Sequence, residues 1–114
     1  MSLSNVVAEP DHGTYIWITQ VQGDDYIEIA KLTLATPKQV IYLFSKIEEM
    51  YTPLPETAEL CDEDVLVELV ENGDLGNRQR VLNPRQARWL LCEYLKQPES
   101  VLENLKDSGV PASD

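Results

Sequence analysis

The residues of this chain best suited to recognising another molecule are its arginines, because a guanidinium offers a planar fork of N–H donors that matches a carboxylate or a phosphate. All four, Arg78, Arg80, Arg85 and Arg88, fall within eleven residues, and no Asp or Glu occurs from Leu75 to Cys92. The chain as a whole is acidic, with 20 Asp and Glu against 9 Lys and Arg and a formal net charge of -11. Clustering every guanidinium in one acid-free stretch therefore points to a surface for an anionic group. The competing reading is internal, in which the arginines pair with the chain's own excess carboxylates. Trp89 lies four residues after Arg85. On a helix whose core face is Ala87, Leu90, Leu91 and Tyr94, it turns to the outer side. Tryptophan and arginine together are the residue types that dominate interface hot spots, so Arg78, Arg80, Arg85, Arg88 and Trp89 form the candidate binding set. In the alternative, the last helix covers Trp89 as a second layer of core.

Other chemistry has less support. The sole imidazole, His12, sits in a segment without periodicity, which leaves no Ser-His or Cys-His pair inside the expected fold. No glycine-rich phosphate loop is present. Asp62-Glu63-Asp64 lacks the spaced oxygens and the glycine of a calcium loop, and Asp24-Asp25 beside Gly23 reads as turn chemistry. Cys61 and Cys92 have no CxxC spacing and are expected to be free thiols, which suits a reducing compartment. No metal, cofactor or catalytic residue is assigned.

At 114 residues and 43% hydrophobic content the chain suits one domain with a real core. The opening MSLSNVVAEP has neither a basic nor an apolar signal region, so a soluble, cytoplasmic protein is expected. The net charge opposes generic adhesion to nucleic acid or an anionic membrane and favours a basic protein partner.

The elements that must position these residues read as follows. Residues 1–13 form a loose arm, 14–109 a single α+β domain and 110–114 a frayed tail. Tyr15 to Val21 and Tyr26 to Leu34 are rich in β-formers and flank Gln22-Gly23-Asp24-Asp25, the signature of a hairpin. Thr36-Pro37-Lys38-Gln39 combines a cap, a proline at the first helical position and a glutamine at the third. The helix it opens carries the stripe Val40, Leu43, Phe44, Ile47 and Tyr51 and stops at Thr52-Pro53-Leu54-Pro55. Asp62 to Glu71 is read as a helix with an acidic start and Asn72-Gly73 as its left-handed stop, although Val65 to Val70 would also suit a buried strand. A short strand near 78–82 precedes a second capped helix at Asn83-Pro84-Arg85-Gln86, and Pro98 starts a last short helix. The result is a small antiparallel sheet packed against three to four helices. The two proline-started helices align at an offset of 47, pairing Pro37 with Pro84 and Tyr42 with Trp89. An internal duplication of a strand-strand-helix unit is the alternative, and it requires residues 64–71 to be a strand.

Three functions follow as expectations. The first is a non-catalytic regulator, adaptor or inhibitor that docks on a protein partner, with a homodimer left open. The second is a nucleic-acid-associated protein using the Arg78–Arg88 surface. The third is a small enzyme working with carboxylates such as Asp24, Asp25 and Glu28.

Overall fold

The computed structural model describes residues 13–54 and 59–108. The loose arm up to His12 and the tail from 110 lie outside the described residues.

Strands β1 (Tyr15–Gln22) and β2 (Asp25–Leu32) form the expected hairpin, closed by Gly23-Asp24 with Gly23 at φ +67°. Positive φ at the first turn residue matches the right-handed twist of the flanking strands and costs glycine nothing. Helix α1 (Pro37–Met50) follows, and its capping box is complete: Thr36 Oγ1 accepts from the Gln39 amide while the Gln39 side chain accepts from the Thr36 amide. Strands β3 (Val65–Glu71) and β4 (Asp74–Leu82) come next, then helix α2 (Pro84–Arg88), capped in the same way by Asn83 and Gln86. Trp89–Tyr94 continues α2 as a π-helical turn, and Glu99–Leu102 is a single 3₁₀ turn.

The sheet is antiparallel throughout, in the order β2-β1-β3-β4. Two expectations need correction. Residues 65–71 are a central strand and not a helix, and among the described residues the sheet is backed by two helices and not by three to four. The physical reason is burial on both faces. Val65, Leu66, Val67, Glu68, Leu69 and Val70 are all buried, a continuous run that suits a central strand shielded on both faces and not a one-sided surface helix. Asn72 (φ +54°) and Gly73 (φ +85°) are then the two turn residues of a hairpin and not a helix stop. Asn-Gly with both φ positive is the signature of a type I′ connection. The strand expected near 78–82 accordingly begins four residues earlier, at Asp74, directly after this turn.

Both helices and the 3₁₀ turn pack on one face of the sheet. Its core joins Ile16, Ile18, Ala30, Val65, Val67, Leu69 and Leu82 to Val40, Phe44 and Ile47 of α1 and to Ala87, Leu90 and Leu91. A bulge at Ile29 shifts the register of β2 so that Ile27, Ala30 and Leu32 lie opposite Gln20, Ile18 and Ile16 on that face. The outer edge of β4 is partly covered by Thr52, whose carbonyl accepts from the Val81 amide at 3.2 Å. No helix among the described residues is long and apolar enough to cross a membrane.

Candidate functional site

The structure divides the four arginines between two environments. Arg78 and Arg80 alternate with Gln79 along β4 and so share the helix-covered face. There they meet Glu48 at the end of α1. Arg78 forks onto its carboxylate, Nη2 to Oε1 at 2.7 Å and Nε to Oε2 at 3.2 Å, and also donates to Ser45 Oγ. Arg80 donates through Nε to the Glu48 carbonyl and through Nη1 to the Gln79 carbonyl, with Nη2 3.9 Å from Glu48 Oε2. Hydrogen bonds from Arg78 hold the Glu48 carboxyl below the usual carboxylate range, with the charges of Arg78 and Arg80 adding to the effect and partial burial opposing it. This cluster ties β4 to α1. Glu48 lies 30 residues before Arg78, and no local pattern announces the pairing.

The cluster has a measurable consequence. Because the folded-state pKa of Glu48 lies below its unfolded value, the stabilisation is complete above the unfolded value and is lost as pH falls through the folded pKa. Glu48→Gln is expected to cost about 2 kcal/mol at neutral pH, the scale of a charge-assisted hydrogen-bond pair, and to flatten the acid limb of the stability profile. Urea melts from neutral pH to pH 3 read both effects, and an unchanged acid limb would count against the cluster. Glu68, in the middle of β3 on the other sheet face, acts in the opposite sense. Burial pushes its carboxyl up, so it is a stability cost above its folded pKa.

Arg85 and Arg88 lie on the outer side of α2 with Trp89, lining a groove of about 280 Å³ whose other walls are Cys92, Glu93 and Glu99. Arg88 reaches Asp107 at 3.7 Å, a half-exposed pair of small energetic weight. Arg85 has no carboxylate partner among the described residues. Trp89 is 47% exposed, so the last segment does not cover it.

Tyr94 was expected on the core face and is instead 37% exposed, with its ring stacked on Trp89 at 5.8 Å between centroids and 23° between planes. The cause is the π-helical turn. In an α-helix residues five apart point about 140° away from each other. Here the Leu95 amide donates to the Leu90 carbonyl, five residues back, and the wider turn brings positions 89 and 94 to the same side. Leu95 packs against the core in its place. Two aromatic rings thus share one solvent-facing patch beside Arg85.

Other residues weighed for chemistry are placed as follows. Asp24 and Asp25 are exposed at the hairpin turn, and Glu28 accepts from the Trp17 indole at 2.9 Å. Asp62 accepts from the Gly23 amide at 2.8 Å and lies 3.4 Å from Lys106, while Asp64 accepts from the Cys61 amide. Asp62-Glu63-Asp64 therefore shapes a turn into β3, with Glu63 at φ +75°, and does not start a helix. Cys61 is exposed and Cys92 half-buried, both as free thiols. Among the described residues no group of three or more His, Cys, Asp or Glu could hold a metal ion. His12 lies outside them.

The fold and the patch together define an α+β domain, a four-stranded antiparallel sheet backed on one side by two capped helices. No protein-family model matches the chain, and no curated protein or solved structure matches it either.

Proposed function

We propose that this domain is a non-catalytic interaction module that docks on a protein partner through the outer side of α2 and its π-helical turn. Trp89 and Tyr94 serve as the apolar anchor, and Arg85 and Arg88 receive an anionic group of the partner. The observation that carries the reading is the exposed, stacked Trp89–Tyr94 pair beside an arginine with no described carboxylate partner. Such a pair holds a large apolar surface in water and in one orientation, which lowers the entropic cost of binding. Arg78 and Arg80 are engaged by Glu48 and tie β4 to α1 instead. A cytoplasmic setting belongs to the same proposal and is supported by the two free thiols. So does descent of the two strand-strand-helix units from one ancestral unit, supported by the repeated element order and the 47-residue offset of the capped helices.

The nucleic-acid reading draws on the same patch, since exposed rings are stacking platforms. It is left with two arginines against a net charge of -11.

The test begins with a pull-down from the native host and identification of the partner. Trp89→Ala is expected to weaken that interaction by about 2 kcal/mol or more, about thirtyfold. Arg85→Glu should also weaken it while the isolated domain melts at the same or a slightly higher temperature, because a carboxylate suits a helix start. Wild-type affinity in both variants would remove this face from consideration. Binding to an oligonucleotide with a steep salt dependence would put the nucleic-acid reading in its place.

A further inference from the structure

The arrangement of Arg85 and Trp89 has a counterpart on the other helix. Counted from their capping residues, α1 and α2 each carry a cation at the second helical position, Lys38 and Arg85, and an aromatic ring at the sixth, Tyr42 and Trp89. Positions four apart lie on one side of a helix, so in each case cation and ring share the outer face. Tyr42 is 66% exposed, and beside it Leu34 is 47% exposed. These two residues with Lys38, Gln39 and Leu43 line an open groove of about 410 Å³. An adjoining hollow of about 260 Å³ shares Leu34 and Leu43 and ends at Leu95 and Gln97, making one continuous trough from α1 to the end of the π-helical turn.

Its charge identifies what it fits. Among the described residues no carboxylate lines either part of the trough, in a chain with 20 of them and a net charge of -11. Lys38 has no carboxylate partner among the described residues. Lys46 follows Tyr42 by one turn, its ammonium 5.3 Å from the ring centroid and 4.0 Å from Glu49. Lys31 also lines the hollow, but its ammonium sits 4.3 Å from the Tyr15 ring, and Lys46 lines neither part and pairs with Glu49, so the charge argument rests on Lys38. A basic partner would find no counter-charge here. A second copy meeting this face through a two-fold axis would set lysines against lysines.

We infer that this trough is a second docking site, for an acidic segment of a protein partner that lays apolar side chains on Leu34, Tyr42 and Leu43 and a carboxylate beside Lys38. It goes beyond the α2 face and does not require that face to bind. A domain with both sites grips a partner at two places, and each contact raises the effective concentration of the other.

The probe is a synthetic peptide of about four helical turns, with Leu and Phe at i, i+3, i+4 and i+7 and Glu elsewhere, titrated into the full ¹⁵N-labelled chain. The expected result is saturable amide shifts confined to residues around Leu34, Tyr42 and Leu95, with affinity reduced about tenfold or more by Tyr42→Ala and by Lys38→Glu. Both side chains are exposed, so neither change endangers the fold. Trp89→Ala should leave this titration unchanged, which separates failure here from failure of the α2 face. The inference is overturned if the peptide does not bind by about 1 mM, if its shifts map elsewhere, or if a version with Lys in place of Glu binds as well. It is also overturned if sedimentation shows a dimer that Tyr42→Ala dissociates, which would make the trough a self-interface.

Discussion

Phe44→Ala is expected to destabilise the domain by about 3–5 kcal/mol, the largest effect of any single side-chain truncation proposed for this protein. Phe44 is fully buried at the centre of the α1 stripe, where Val40 and Ile47 continue its row against the sheet. The loss combines two terms, the transfer of a large ring to water in the unfolded chain and the cavity left where neighbours relax only in part. The Arg78 guanidinium lies 5.6 Å from the ring centroid, so truncation also removes the platform under the Arg78–Glu48 fork. Coupling between the two is therefore expected, and a Phe44→Ala, Glu48→Gln double-mutant cycle should depart from additivity. Denaturant melts measure the single effect, and a loss of less than about half a kcal/mol would place the ring at the surface.

Gln20→Leu is expected to cost about 3 kcal/mol although it replaces a polar core residue with an apolar one of similar size. Gln20 is fully buried in β1, and its amide is saturated. Nε2 donates to the Glu63 carbonyl at 3.1 Å and to the Lys106 carbonyl at 2.6 Å, while Oε1 accepts from the Lys106 amide and from Gln22 Nε2, each at 2.7 Å. Gln22 adds a bond to the Asn104 carbonyl. One side chain thus holds the segment after the 3₁₀ turn against the central strands. Leucine would fill the volume and leave the Lys106 amide and carbonyl without that partner, and a buried group left unpaired costs more than the bond itself contributes. Hydrogen exchange should show the loss of protection concentrated at Lys106. A variant as stable as wild type would mean that water replaces the amide there.

What the sequence by itself determined is local. The two capping boxes, the Gly23 turn and the α1 stripe were legible because each depends on residues within a few positions of one another, where backbone conformation and side-chain type are directly coupled. The same locality explains the error at 65–71. An acidic start and an Asn-Gly stop satisfy helix rules as well as hairpin rules, and only pairing of both edges, with β1 and with β4, decides between them. Trp89 as an outward residue followed from helical periodicity. Its stack with Tyr94 did not, because a π-helical turn is a departure from that periodicity with no residue signature here. The grouping of the arginines was plain in the chain, but their division was not. Glu48 and Gln20 act on partners 30 and 86 residues away, and which distant carboxylate or carbonyl a side chain reaches is set by how the sheet orders its strands and where the helices lie across it. Chain neighbours share conformational rules, whereas spatial neighbours are chosen by burial of the whole, so tertiary structure alone decided which cations face solvent and which are held in the fold.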